Sequence, residues 1–274
     1  MTRPGAVRQG ALALAFMAGL ASTKVALADP WIPAAGHGTV KPMVRLYSAD
    51  SSFSASGFGT NTKPAAKLNV TQVRITGVTG LGDHFSLEYD FRFAQVRSSR
   101  SGQVQSNSGL QYQEIGLNYG LTQTQHFADS VTVNVITPSL QNTKTLVLGP
   151  SRWAVEPDLQ LGVQHGPFMA TLIAGPRFFV DGGATQLRSE LDLSARATHR
   201  LTFTGSVFFV DTIQQRRTPA PATFGEDYNL LRLGIGAVYR LTRAVRPFVG
   251  YEDDIAGKGM HAGQRIAIGI AIHY

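Results

Sequence analysis

The 274 residues contain no cysteine, which excludes a disulfide framework and every cysteine-based metal or redox centre. The formal charge of +7 includes three positive charges on Arg3, Arg8 and Lys24, and the +4 that remains is scattered with no run of Lys or Arg. Nucleic acid is therefore not an expected partner, whereas anionic lipid headgroups suit a mild basic excess.

Residues 1–28 carry Arg3 and Arg8, an apolar run over 11–21, and small residues ending in Ala26, Leu27 and Ala28. That is the layout of a secretory signal peptide, cut before Asp29. Its apolar run is too short to cross a bilayer as a helix, and no later run reaches the roughly 18 apolar residues that a membrane helix needs. The mature length suits one barrel, or one or two soluble domains. Residues 29–38, rich in Pro and Gly, are expected as a periplasmic segment with Trp31 tucked into a barrel mouth.

From residue 39 the chain alternates with a period of two. The first strand, 39–48, sets Val40, Val44 and Leu46 against Lys41, Arg45 and Tyr47; a long polar loop over 49–66 follows. The second, 67–79, changes face near Gln72, which reads as a bulge. The third sets Phe85, Leu87, Tyr89, Phe91 and Phe93 against Ser86, Glu88, Asp90 and Arg92. A polar loop over 97–108 leads to the fourth, with Ile115, Leu117, Tyr119 and Leu121 opposite Glu114, Gly116 and Asn118. The fifth is 130–137, and the sixth opposes Leu159, Leu161 and Val163 to Asp158, Gln160 and Gln164. The seventh is 168–180; the eighth sets Leu187, Leu191, Leu193 and Ala195 against Arg188, Glu190, Asp192 and Arg196. The ninth is 201–212, and the tenth, 227–241, opposes Leu231, Leu233, Ile235 and Tyr239 to Arg232, Gly236 and Arg240. The eleventh is 245–253. The last, 265–274, places Ile266, Ile268, Ile270, Ile272 and Tyr274 on one face and Arg265, Ala267, Gly269, Ala271 and His273 on the other.

Twelve strands result, within a range of ten to fourteen, and an even number suits a single-chain bacterial barrel. The eighth strand decides the environment, with four charges on one face and none opposite. Arg or Lys on the lipid side at mid-bilayer costs about 2–4 kcal/mol, so the charged face must look inward. The expected lumen set is Arg45, Glu88, Asp90, Arg92, Glu114, Asp158, Arg188, Glu190, Asp192, Arg196, Arg232 and Arg265, arranged as mutual ion pairs; residue by residue a structural ladder is the favoured reading, and a selectivity role for solutes is the alternative for the set.

The pair His84 and Ser86 has the spacing of the catalytic pair in outer-membrane phospholipases, but Leu87 stands where that family places a polar partner, so interfacial polar residues are the favoured reading. The seven histidines are dispersed with no i,i+4 helical pair, so no metal is expected. Gly234-Ile235-Gly236 lies inside an alternating strand and is no phosphate loop. No cofactor and no catalytic residue are expected.

Three short motifs carry a resemblance: Trp31-x-Pro33-x-x-Gly36-x-Gly38, the stretch from Gln113 to Leu121, and the stretch from Leu187 to Leu193. With the whole-length layout they resemble the outer-membrane transporter barrels grouped with XagA and the phenol meta-pathway proteins. The resemblance implies an outer-membrane barrel with a transport or surface-polymer role. The terminal aromatic resembles the signal that the barrel-assembly machinery reads. The expectation is thus an all-β, transmembrane, antiparallel up-and-down barrel over 39–274. It would sit in outer-membrane lipid and pass small, apolar or aromatic solutes passively; the alternatives are an accessory barrel for exopolysaccharide or envelope assembly and, below it, a lipid hydrolase.

Overall fold

A computed structural model describes residues 30–54, 57–141, 146–215 and 227–274; the expected signal peptide lies outside them. Twelve antiparallel strands form one closed barrel in which each pairs with its sequence neighbours and the last returns to the first. They are β1 Gly38–Phe53, β2 Thr62–Gly80, β3 Phe85–Arg100, β4 Gln103–Gln123, β5 Phe127–Ile136 and β6 Ala154–His165. The second half comprises β7 Phe168–Phe179, β8 Thr185–Arg196, β9 Leu201–Gln214, β10 Asn229–Tyr239, β11 Val245–Lys258 and β12 His261–His273. Closure runs from Thr39 opposite His273 to Ser52 opposite His261. A closed sheet leaves no strand edge unpaired in hydrocarbon, the condition for crossing a bilayer without helices.

The sides of the wall follow the alternation. Ile268 is 59% exposed and Ile235 70%, and Val44, Val73, Ile115, Val133, Leu159, Leu193 and Phe203 share the outer face. So continuous an apolar belt would be ruinous in water and is stable against acyl chains. The inner face carries Ser86, Asp90, Asn118, Thr132, Glu156, Asp158 and Gln160, all buried.

Two expected loops are strand instead. β3 and β4 continue to Arg100 and from Gln103, joined by Ser101 and Gly102 at φ of 50° and 81°. Two successive positive φ values make the tight hairpin turn that matches strand twist, so the Ser- and Gln-rich stretch pairs above the membrane where both faces are wet. Likewise 49–53 extends β1 and 62–66 begins β2, while β11 and β12 meet in a hairpin turning at Gly259.

The face change expected near Gln72 has another cause. Val73 and Ile75 point out and Leu68 and Gln72 lie buried, while the irregular register lies higher, opposite 49–51. The strand leaves the lipid at that height, so its outer face turns polar at Asn69 and Thr71. Its inner face turns apolar at Leu68 and Val70 because residues 146–148 of the loop between β5 and β6 fold in above it. Leu146 and Leu148 from this loop pack with Leu68 and Val96, beside Tyr47 and Val70. Hydrogen bonds fasten the loop to the upper β4 edge: Asn107 Nδ2 donates to Gln141 O at 2.7 Å and Leu146 O at 3.0 Å, and Ser139 Oγ to Leu110 O at 2.9 Å.

Candidate functional site: the lumen

The lumen divides into a mouth, a vestibule, an ionic belt and an apolar cover. At the mouth, Trp31 is 5% exposed and its indole Nε1 donates to Thr124 O at 2.8 Å. Ile32 N donates to Gln123 Oε1 at 3.0 Å, and Gln123 Nε2 returns a bond to Ile32 O at 3.3 Å. The indole packs with Ala128 and Met169, and Gly162 faces it so closely that any Cβ there would collide with Pro30 and the Trp31 ring. Residues 30–32 thus lie inside the opening against the β4–β7 wall, and Pro33 and Ala34 pass beside Gly80 at the end of β2.

Above them a cavity of about 730 Å³ reaches from Trp31 and His37 to Arg45, Arg92 and Glu252. Its upper boundary is a belt of seven arginines and five carboxylates drawn from ten strands. Arg74 grips Asp90 with Nε and Nη2 at 3.0 and 2.9 Å, and Arg92 binds the same carboxylate. Arg177 joins Glu156 to Glu114, the latter at 3.3 Å, and Arg188 Nη1 holds both Glu156 oxygens at 2.9 Å. Arg45 binds Glu252 at 2.9 Å; Arg232 meets Asp254 at 2.7 Å; Arg265 reaches Glu252 at 3.5 Å and Asp254 at 3.6 Å. Aromatic faces back four of these guanidinium groups: Tyr112 under Arg92 at 4.3 Å, Phe208 under Arg188 and Arg232 at 5.2 Å each, and Tyr47 under Arg265 at 5.0 Å. Such stacking holds a planar cation flat while its edge keeps hydrogen-bonding capacity.

The expected ion pairs are only partly the ones formed. Arg92 does bind Asp90. Arg188 binds Glu156 rather than its strand neighbours, and Arg232 binds Asp254 and Glu252. Asp158 accepts from Asn134 at 2.8 Å, and Glu88 from Asn118 and Gln160 at 3.1 Å each. Arg196 lies apart at the end of β8, by the rim that holds Trp31, and its Nε and Nη2 lack partners among the described residues. Neither Glu190 nor Asp192 forms an ion pair among the described residues, although both line the cavity. Arg74, Glu156, Arg177, Glu252 and Asp254 complete the belt and escaped the sequence reading. Alternation extended back through Pro157 and Pro176, and onward past Asp253, would have found four of them; Arg74 was hidden by the supposed face change.

No hydrogen bond joins His84 to Ser86 among the described residues: the His84 ring lies 5.9 Å from that of Tyr119, and Ser86 is buried on the lumen side. The described residues hold no cluster of His, Asp and Glu fit for a metal.

A closed twelve-stranded barrel with an apolar outer band and an ionic interior defines an outer-membrane β-barrel. No protein-family model matches the chain, and no curated protein sequence does. Solved structures do. The COG4313 outer-membrane channel of Pseudomonas putida F1 superposes with a TM-score of 0.67 at 16% identity, over 92% of this chain and all of that one. The NanC porin gives 0.51 at 8% identity over 84% and 98%, and the KdgM porin 0.51 at 10% over 85% and 99%. At these identities the likeness is one of fold.

Proposed function

We propose that the protein is a passive outer-membrane channel for small solutes whose selectivity resides in the arginine–carboxylate belt. The observation that carries this reading is the cavity, lined by ionisable side chains among apolar ones, that reaches from the mouth at Trp31 to the belt. A barrel that served only as a strut gains stability by filling its axis with apolar side chains. Here ionisable groups face an open volume, as pores that discriminate by charge require. The channel and porin neighbours support the same reading. Among small solutes, flat aromatic ones bearing a polar group suit the belt, where guanidinium planes lie over Tyr112, Phe208 and Tyr47. The passage needs no energised partner, and no catalytic group is assigned.

Planar-bilayer conductance and liposome swelling with arabinose test the proposal. Stepwise currents and sugar influx are expected; a barrel that refolds yet passes neither ions nor any small solute overturns it. The resemblance to the XagA group and the β3–β4 hairpin raised above the lipid favour a second reading, an accessory barrel for surface polymer. Neighbouring genes for polymer synthesis rather than catabolism would support it. Strand β12, ending in Tyr274, is the proposed recognition element for the assembly machinery.

A further inference from the structure

On the outside of β2, β3 and β4 the side chains change character row by row as the strands leave the lipid. Val73, Phe93 and Leu110 stand side by side in one register row, all exposed, and close the apolar belt on these strands. The next row up is Thr71, Gln95 and Ser108, the one above it Asn69, Arg97 and Ser106, and Lys67 stands opposite Ser99 in the fourth. Lys67 and Arg97 are therefore diagonal neighbours on adjacent strands, both exposed, and like charges so placed repel. No acid answers them: neither forms an ion pair among the described residues, and Asp50 at the β1 irregularity pairs with neither. Followed through Asn69, Ser48 and Gln264, the row of Arg97 reaches an acid only at Asp253 on β11. That residue is four strands away, about 19 Å at the usual strand spacing. Ser48 Oγ donates to Asn69 Oδ1 at 3.1 Å, which leaves the Asn69 amide nitrogen as a further donor without a partner among the described residues. Two rows of a strand tilted by about 40° raise Arg97 about 10 Å above Phe93. Its long side chain, directed downward, spans most of that height to the headgroup layer bordering the hydrocarbon.

From this geometry we infer that the outer face of β2–β4 is a docking site for the phosphorylated glycolipid of the outer leaflet. A phosphate of its headgroup sits between Arg97 and Lys67, the sugar hydroxyls meet Gln95, Asn69 and Ser108, and the acyl chains continue down Val73, Phe93 and Leu110. The order of the rows selects this occupant. An apolar row, an uncharged hydrogen-bonding row and a cationic row succeed one another upward, as acyl chain, sugar and phosphate do in such a lipid. A phosphate offers Arg97 paired acceptors and Lys67 a counter-charge, so it relieves the repulsion between them. An anionic glycerol lipid would answer the cations and leave the amide and hydroxyl row to water. The site lies outside the barrel and stands whether or not solute crosses the lumen.

The test uses the refolded barrel in neutral detergent micelles, with lipid A, its fully dephosphorylated counterpart and phosphatidylglycerol as probes, followed by native mass spectrometry of the lipid-bound species. Lipid A is expected to bind about tenfold more tightly than either of the others, since a surface cation contributes about 1 kcal/mol toward an anionic headgroup and two are present. The Lys67→Gln, Arg97→Gln double variant changes only exposed side chains; it is expected to lose that margin while still migrating as a folded barrel in unheated gels. Arg200→Gln with Arg243→Gln removes two exposed arginines from the turns at the other end of the barrel and is expected to keep it. Equal binding of phosphorylated and dephosphorylated lipid A overturns the inference, as does an unchanged margin in the Lys67, Arg97 variant. Phosphatidylglycerol binding as tightly as lipid A overturns it too, because the sugar row would then contribute nothing. An equal loss in the Arg200, Arg243 variant would assign the effect to net charge and likewise overturn the site.

Discussion

Trp31 gives the sharpest handle on whether the mouth is narrowed by residues 30–34. Its ring is almost wholly buried among Ala128, Met169 and Gly162, and its one donor is bonded to Thr124 O. Burying a side chain of this size removes about 200 Å² from water, worth about 5 kcal/mol at 25 cal/mol per Å²; truncations of buried Trp typically cost about 3–5 kcal/mol. The barrel wall is held by its own backbone ladder, so Trp31→Ala should detach residues 30–34 rather than unfold the sheet. A loss of about 4 kcal/mol shifts the docked-to-free ratio roughly a thousandfold. Gly162→Val attacks the same contact from the wall side, because its Cβ alone would collide with Pro30 and Trp31. Both variants are expected to raise single-channel conductance and quiet the current noise of a segment leaving and returning. If both folded variants give the amplitude and noise of the unaltered barrel, residues 30–34 do not restrict the mouth.

Three other outcomes follow from the same geometry. Asp90→Asn leaves Arg74 and Arg92 without their shared counter-ion; breaking a buried pair costs about 3–5 kcal/mol, read as a lower urea midpoint, and anion preference should rise in reversal-potential measurements. Leu146→Ala with Leu148→Ala removes the anchors of the 137–153 loop, at about 2–5 kcal/mol per site, so added protease should cut that loop faster on intact cells while the barrel stays whole. Ile268→Arg places a cation on the outer face near the middle of β12 and should cost about 2–4 kcal/mol in vesicle unfolding; a neutral effect would mean this face does not meet lipid.

The barrel was legible because lipid imposes a one-residue rule on each strand. Period-two alternation placed Ile266, Ile268 and Ile270 outward without knowledge of any partner strand. The rule fails where the strands rise into water: at 97–108 both faces are polar, alternation vanishes, and a hairpin reads as a loop. Membership of the lumen set follows from parity within a strand, but pairing does not. Arg188 was expected to pair within the set Glu88, Asp90, Glu114, Glu190 and Asp192, and found Glu156 on β6. Neighbours across a lumen are set by strand tilt and register offset, which accumulate around twelve strands and leave no trace in local sequence.

For the proposed channel, the belt raises the question of how a lumen crossed by ion pairs would conduct at all. Buried pairs are poor sources of stability, because desolvation consumes most of their attraction. Their arrangement here offers something else. Glu252 meets Arg45, Arg232 and Arg265; Glu156 meets Arg177 and Arg188; Arg177 spans Glu114 and Glu156. Glu252, Glu156, Arg177, Arg232 and Arg265 each have more than one partner, so giving up one contact to a passing solute leaves these five paired, and the penalty for exchange at them falls below that of breaking an isolated pair. The aromatic rings beneath Arg92, Arg188, Arg232 and Arg265 hold the guanidinium planes in place while their partners change. Under the proposed channel reading, shared pairing would thus reconcile a belt rigid enough to keep its shape with one labile enough to hand a charged solute from one arginine to the next.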